Sequence, residues 1–174
     1  MSFKNWFSRG ADSSNFEQLI SPHIDYLYRL AYRFTNNRLD AEDLVQDLLV
    51  KLYGRREEVA GIEKLRPWLA QVLYRMFLDQ VRQNQRRPIS DDADIDIGEF
   101  EHPDRGPAQL LEQAITQERL QVAYGRLNQD QRALLALHDI EGYTLLELET
   151  ILETPVGTLK SRLHRARKRL REYL

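Results

Sequence analysis

The chain has 174 residues, a formal net charge of −2, 42% hydrophobic residues and 30% charged residues, a balance typical of compact globular domains. It contains no cysteine, which excludes disulfides and thiolate zinc sites and is typical of a cytoplasmic protein. No apolar run approaches the ~18 residues of a membrane span, and no secretory signal is evident. The histidines are far apart in the sequence, at His23, His102, His138 and His164, so we predict no metal site. We also predict no cofactor and no membrane insertion.

The first predicted domain covers residues 14–87, after an N-terminal tail at 1–13. Apolar residues recur at three- and four-residue steps from Phe16 to Ala31, which predicts helix with a break at Ser21-Pro22. Asn36-Asn37 predicts a turn.

Two further helices are predicted in this domain. Asp40 is placed to cap a helix over Ala41–Tyr53, with Leu39 and Leu44 at the positions of a hydrophobic staple. Another helix is predicted from about Pro67 to about Arg86. Its predicted buried positions are Leu69, Val72, Leu73 and Met76.

Residues 88–108 differ in composition from both flanks. Seven acids and no base lie between Asp91 and Asp104, with proline and glycine nearby, which predicts an extended, self-repelling linker. A second helical domain is predicted over residues 109–174. No segment alternates with the period of a strand, so the predicted fold class is all-α: two small helical domains joined by an acidic flexible linker.

A helix-turn-helix is predicted near the C-terminus. Gly142 is placed to end one helix, and Thr144 and Glu147 have capping-box spacing before a short helix over Leu145–Leu152. Glu153-Thr154 predicts a tight break, and Pro155 suits the first turn of a second helix.

The second helix carries one apolar stripe opposite a basic face. The stripe is Val156, Leu159, Leu163, Ala166 and Leu170, and seven Lys or Arg with no acid lie between Thr154 and Arg171. A solvated amphipathic helix is the plainer interpretation, but the capped helix and tight break favour major-groove DNA binding. The predicted DNA-binding residues of this helix are Thr158, Lys160, Ser161, Arg162, Arg165, Lys168 and Arg169.

Three segments carry a resemblance to a known family. The run T-P-V-G-T-L-K-S-R-L-H-R-A-R over 154–167 closely resembles the promoter-binding domain of extracytoplasmic-function (ECF) RNA polymerase sigma factors. The run D-A-E-D-L-V-Q-D over 40–47 resembles their polymerase-docking helix, and R-P-W-L over 66–69 resembles the start of their next long helix. The resemblance covers about residues 14–174.

The resemblance implies partners and roles. Residues 14–87 would be region 2, which binds a coiled coil of the polymerase's largest subunit and helps melt the minus-ten element. Residues 109–174 would be region 4, which reads the upstream (minus-thirty-five) element with the DNA-binding residues of its last helix. An anti-sigma factor is a further implied partner. The polymerase-binding residues would be Asp40, Glu42, Asp43, Gln46, Asp47 and Val50.

The downstream promoter element would be bound by the segment Gly54–Lys64, which resembles the family's base-capturing loop, and by one side of the helix after it. A solvated polar face remains an alternative for that helix, and core packing is the favoured role of Trp68. The predicted residues are Arg55, Arg56, Lys64, Gln71, Arg75, Arg82 and Arg86. For the linker, a path through the polymerase's RNA channel and a plain spacer both remain open.

Two residues depart from the family pattern in the helix-turn-helix. Glu153 lies where a glycine is common, so a positive φ there would carry strain on the order of 1 kcal/mol. Glu149 lies where a small alanine is usual, so its carboxylate must reach solvent or a partner.

The resemblance thus predicts a cytoplasmic alternative sigma factor that has no catalytic residues and binds core polymerase and promoter DNA. A stand-alone helix-turn-helix regulator is the main alternative, and it would bind its operator without polymerase. An enzyme is disfavoured because no phosphate loop, nucleophile elbow or metal cluster is evident in the sequence.

Overall fold

The computed structural model describes residues 11–84 and 119–174, with side chains from residue 15 onward in the first stretch. Every regular element in these two stretches is helical, as the sequence predicted. The predicted acidic linker and residues 1–10 of the predicted tail lie outside the described residues. Within the described stretches, no helix combines the length and apolarity that a membrane crossing requires.

The first stretch forms an N-terminal module in which α2 packs against both α3 and α5. A short 3-10 turn at Ser21–His23, with Pro22 in its first positions, separates the first two helices and confirms the predicted break. The first helix begins before residue 14, inside the predicted tail. The helices are α1 (Ala11–Ile20), α2 (Ile24–Thr35), α3 (Arg38–Tyr53), α4 (Arg56–Ala60) and α5 (Leu65–Asn84).

The start of α3 corrects one prediction. Asn36 ends α2 with a φ of 55°, and the side-chain oxygen of Asn37 accepts a hydrogen bond from the Asp40 backbone N–H at 3.1 Å. Asn37 is therefore the N-cap, and Asp40 lies in the first turn. Because α3 starts earlier than predicted, Leu39 points outward, 70% exposed, and forms no staple with Leu44.

The long helix α5 begins at Leu65, slightly before its predicted start. Pro67 lies in its first turn, where a backbone N–H has no helical acceptor in any case, so the missing donor costs little. Leu69 and Leu73 are buried as predicted, Val72 and Met76 are half-buried, and Trp68 packs against the core.

The second stretch forms a C-terminal module. Asn128 caps its second helix in a capping box with Gln131, and a π-helical turn at Ala136–Ile140 follows without a break. Gly142 then has a φ of 77°, which a residue with a Cβ rarely adopts, so it ends the helix as predicted. The helices are α6 (described over 119–125), α7 (Gln129–Leu135), α8 (Leu145–Ile151) and α9 (Val156–Tyr173).

The two modules pack directly against each other. Helix α2 contacts α7 and the π turn, and α5 contacts α8. Buried apolar side chains of both modules belong to one continuous cluster, from Phe16 in α1 to Ala166 in α9. The sequence predicted two separate domains and gave no indication of this contact.

Candidate nucleic-acid and partner-binding surfaces

Helix α9 has the two faces that the sequence predicted. Leu159, Leu163 and Ala166 are buried, and Val156 and Leu170 are half-buried. The predicted upstream-element residues lie on the outer face, where Thr158 is half-buried and the others are exposed: Lys160, Ser161, Arg162, Arg165, Lys168 and Arg169. A basic face is therefore open to solvent immediately after the bend.

The short helix α8 holds α9 at a tight bend. Thr144 and Glu147 form the predicted capping box, with Glu147 N–H donating to Thr144 Oγ1 at 3.3 Å and Thr144 N–H donating to Glu147 Oε2 at 2.8 Å. The Thr144 N–H and the Thr144 hydroxyl both donate to the Glu147 carboxylate, and these two bonds hold the pKa of Glu147 below its usual value. Leu148 and Ile151 are buried beneath α9.

Both departures from the family pattern have a structural outcome. Glu153 has a φ of 51°, so the positive φ considered from the sequence is present. Glu149 finds a partner in the backbone: its Oε1 accepts a hydrogen bond from the Val156 N–H at 3.0 Å. Pro155, which lies at the N-cap rather than in the first turn, supplies no side-chain cap, so Glu149 satisfies one of the free N–H groups of α9.

Several basic side chains of α9 have local partners. Arg165 Nε donates to the Ser161 carbonyl at 3.3 Å, and Arg169 forms an ion pair with Glu172 at 3.1 Å. Arg167, which is outside the predicted DNA-binding set, donates to both carboxylate oxygens of Asp139 at 2.9 and 2.5 Å. It therefore ties α9 to the π turn instead of adding to the outer face.

One edge of the α9 face borders the N-terminal module. Arg162 and Arg165 line an open cavity of about 350 Å³ together with Tyr74 of α5 and Asp130 of α7. Burial raises the pKa of Tyr74 to about 12, so its hydroxyl stays protonated at neutral pH. The cavity offers a mixed polar and cationic wall between the modules.

The predicted polymerase-binding face of α3 lies opposite its buried side. Leu44, Val45 and Leu48 are fully buried, whereas Val50 is 57% exposed. Glu42 is half-buried and forms an ion pair with Arg38 at 3.2 Å. The remaining predicted residues are exposed: Asp40, Asp43, Gln46 and Asp47.

Two of these acids lie close enough to affect each other. Partial burial, and then the negative charge of Asp43, raise the pKa of Asp40 above its usual value. An exposed acidic face with an apolar side chain at its centre has the composition of a protein-binding surface.

The predicted base-capturing segment contains a helix of its own, α4. Arg55 forms an ion pair with Glu58 at 2.5 Å, and the guanidinium of Arg56 lies 5.4 Å from the ring centroid of Tyr53. Lys64 is exposed. Between α1 and α4 lies an open cavity of about 290 Å³, lined in part by Phe16 and Arg56.

The predicted DNA-binding side of α5 is only partly free. Gln71 Nε2 donates to the Thr150 carbonyl at 2.8 Å, and Arg75 forms an ion pair with Glu153. Arg82 is exposed and pairs with Asp79 at 3.2 Å. Arg86 lies outside the described residues.

Sequence reasoning missed two charged residues buried between the modules. Arg132 is 7% exposed and donates to the Phe34 and Leu127 carbonyls at 3.2 and 2.6 Å. The Glu141 carboxylate is 8% exposed and lies between the guanidinium groups of Arg33 and Arg66. The only available signals were a charge beside the apolar run of α7 and an acid next to a helix-ending glycine.

Among the described residues, no group of three or more histidine, aspartate or glutamate side chains could hold a metal ion. Charged side chains lie instead across the contact between the modules and on the outer faces of α3 and α9. The described surfaces are thus suited to binding macromolecules.

Comparison with known proteins explains this layout. The sequence profile of sigma-70 region 2 matches residues 19–87, and that of sigma-70 region 4 matches residues 117–170. The ECF RNA polymerase sigma factor SigE of Mycolicibacterium smegmatis is 34% identical over 92% of this chain. The chain belongs to the ECF sigma factors. It spans 62% of the length of the SigE relative.

Other ECF sigma factors match over more of their length. SigW of Bacillus subtilis is 27% identical to this chain, and the match covers 94% of this chain and 90% of SigW. The solved structure of the sigma factor RpoE, in complex with the anti-sigma factor NepR from Bartonella quintana, superposes with a TM-score of 0.70 at 25% identity. That match covers 92% of this chain and 96% of RpoE. This ECF sigma factor therefore shares its helical architecture with a sigma factor of known structure.

Proposed function

We propose that this ECF sigma factor binds core RNA polymerase in the cytoplasm and directs it to promoters. In this proposal α9 reads the upstream element in the major groove, and the N-terminal module binds the downstream element. The outer face of α9 supports the proposal best, because a one-signed basic face projects after a capped helix and a tight bend. The protein has no chemistry of its own in this role.

Base contacts from α9 are proposed for its N-terminal half. Thr158, Ser161 and Arg162 lie within the first two turns of the helix, the part that enters the groove in helix-turn-helix proteins. Arginine can pair with guanine through two hydrogen bonds, which discriminates between bases by about 1–3 kcal/mol. Lys168 and Arg169 lie farther along the helix and are suited to phosphate contacts, which give salt-dependent affinity.

Docking on polymerase is proposed for the acidic face of α3, with Asp43, Gln46 and Asp47 around Val50. The proposed partner is a coiled coil of the largest subunit, as the resemblance implies. The exposed valine among acids supports this role, since a polar rim around an apolar centre is the usual anatomy of a protein interface. Asp40 and Glu42 would lie at the edge of the same surface.

Downstream-element binding is proposed for the segment around α4 and for the side of α5 that carries Gln71, Arg75 and Arg82. Arg55, Arg56 and Lys64 give this part of the surface positive charge. The open cavity between α1 and α4 is lined in part by Arg56, and in this proposal it is the recess that holds an unpaired base beside that cation.

Run-off transcription tests the proposal directly. Core polymerase alone, and core polymerase with the purified chain, would transcribe a pool of genomic promoter fragments. We expect specific transcripts only with the chain. Asp47→Lys should abolish both the transcripts and co-purification with core polymerase, whereas Asp25→Lys, which reverses one exposed acid on α2, should preserve them.

Other results would contradict the proposal. Protection of a specific DNA site by the chain alone, with no transcript and no association with polymerase, would instead support a stand-alone regulator. No observation on the structure favours that alternative, and the matched relatives are sigma factors.

An anti-sigma factor is proposed as a further partner. The solved sigma factor RpoE, which has this architecture, was crystallised with the anti-sigma factor NepR. The decisive measurement is whether a protein that co-purifies with this chain suppresses run-off transcription at a stoichiometric ratio. A co-purifying protein without that effect would not be an anti-sigma factor.

A further inference from the structure

The inner side of α5 holds the C-terminal module at two points. The Gln71 side chain donates to the backbone carbonyl of Thr150 at 2.8 Å, and the Arg75 guanidinium is paired with the Glu153 carboxylate. Both groups of α5 are predicted contacts for the downstream DNA strand. In the structure each of them is bound to an oxygen of the C-terminal module.

A second set of contacts lies deeper between the modules. Glu141 Oε2 accepts from Arg66 at 2.8 Å, its other oxygen pairs with Arg33, and the carboxylate is almost fully buried. Beside it the hydroxyl groups of Tyr26 and Tyr143 form a hydrogen bond at 2.8 Å. A buried carboxylate with two guanidinium partners is a strong, charge-assisted contact, whereas removing either kind of partner leaves a buried charge.

The backbone at Glu153 points to a purpose for its carboxylate. Its φ of 51° strains any residue with a Cβ, and glycine would relieve that strain. Glutamate at this position nevertheless places a carboxylate against Arg75. A carboxylate and a phosphate present the same kind of acceptor oxygen to a guanidinium group.

We propose that the C-terminal module is a competing ligand for the DNA-binding side of α5. The Glu153 carboxylate and the Thr150 carbonyl occupy Arg75 and Gln71 where a DNA strand would place its phosphate and base oxygens. The Glu141 contact holds this closed arrangement, so the strand and the C-terminal module exclude each other. The inference rests on the proposed function, because that function makes this side of α5 a DNA-binding surface.

Competition of this kind lowers the apparent affinity of the free chain for a DNA strand. Only the open fraction of molecules can bind, and the apparent dissociation constant rises by the inverse of that fraction. Weakening the closed contacts should therefore tighten strand binding, although the substituted residues touch no DNA.

The test uses the full chain with Glu141→Gln and Glu153→Gly combined. The second change also removes the backbone strain, so the bend between α8 and α9 is expected to keep its shape. Because the chain has no cysteine, Lys51→Cys and Leu174→Cys allow a pair of dyes to be placed on exposed positions of the two modules. We expect a longer dye-to-dye distance in the combined variant than in the parent chain.

Strand affinity is the second measurement, with a labelled single-stranded oligonucleotide at low salt as the probe. We expect the combined variant to bind about fivefold or more tightly, the lower end of typical coupling between two sites. Removal of two acids also favours DNA non-specifically, so the control carries the same charge change outside the contact, Glu17→Gln with Asp25→Asn. In an Arg75→Ala background the difference between variant and control should shrink, because the contested cation is absent.

An unchanged dye distance, or a gain in affinity no larger than that of the control, would overturn the inference. Neither measurement involves polymerase, so the result is independent of run-off transcription. If the parent chain directs transcription but the combined variant remains closed, the competition fails and the proposed function stands. If no variant directs transcription while the variant opens and binds the strand, the proposed function fails instead.

Discussion

Replacing Arg132 with methionine is expected to destabilise the protein more than any surface arginine change. The Arg132 guanidinium donates to the Phe34 carbonyl at 3.2 Å and to the Leu127 carbonyl at 2.6 Å, and both bonds are buried. Phe34 lies in the last turn of α2, where a backbone carbonyl receives no hydrogen bond from an N–H of the same helix. Arg132 thus closes the end of a helix in the other module.

The magnitude follows from the groups left behind. Each buried carbonyl that loses its donor costs about 1–3 kcal/mol, or about 2–6 kcal/mol for the pair. Methionine fills a similar volume, and its burial avoids the desolvation of a guanidinium group, which partly offsets the loss. We therefore expect the free energy of unfolding to fall by about 2–4 kcal/mol. Burial lowers the pKa of Arg132 from its usual value, in agreement with this desolvation.

Urea unfolding followed by circular dichroism measures the effect. With an m-value of ~2 kcal/mol per molar urea, the midpoint should shift downward by ~1–2 M. Arg171→Met, on the exposed side of α9, is the control and should shift the midpoint by less than ~0.25 M. Equal shifts for the two variants would refute the reasoning, since Arg132, unlike Arg171, donates hydrogen bonds to the other module.

Substitutions at three further positions test the local geometry of the C-terminal module. Glu149→Ala and Glu149→Gln remove the same charge, but only glutamine keeps an acceptor for the Val156 N–H. We therefore expect the alanine variant to melt at a lower temperature than the glutamine variant. We also expect it to bind upstream-element DNA more weakly. Hydrogen bonds from Arg167 hold the pKa of Asp139 below its usual value. The pair therefore stabilises the fold above the ordinary aspartate pKa and loses that effect as the pH falls through the lowered pKa. In the Asp139→Asn variant, the free energy of unfolding should consequently depend less on pH below pH ~4. Thr144→Ala should lower the free energy of unfolding by about 1 kcal/mol, because α8 loses its side-chain cap.

Each of these expectations has an outcome that contradicts it. Equal melting temperatures and equal DNA affinities for the two Glu149 variants would show that the carboxylate does not position α9. An acid unfolding curve for Asp139→Asn that follows the parent curve would remove the role of the Arg167 pair. Thr144→Ser keeps the capping oxygen, so its free energy of unfolding should stay within about 0.5 kcal/mol of that of the parent chain. A larger decrease would indicate that the capping hydroxyl is not the source of the stabilisation.

Much of the candidate site could be predicted because its signals are local. The capping box of Thr144 and Glu147 spans three residues, and the buried stripe of α9 repeats at the helical period, so each follows from backbone geometry alone. The same holds for the buried side of α3, which puts the acids of that helix outward. The error at Asp40 was also local: Asn37 competes for the same role a few positions earlier, and both residue types are good caps.

The sequence by itself determined the helices, their buried faces and the family to which the chain belongs, because these depend on residues a few positions apart and on long matching runs. Only the tertiary structure decided which groups of the other module Glu141, Arg132 and Arg75 contact, and those partners are 75 to 108 residues away along the chain. Those contacts depend on how two helical modules dock. No periodicity encodes that docking, because a charged side chain on an amphipathic helix has the same pattern whether it faces water or a carboxylate of the other module.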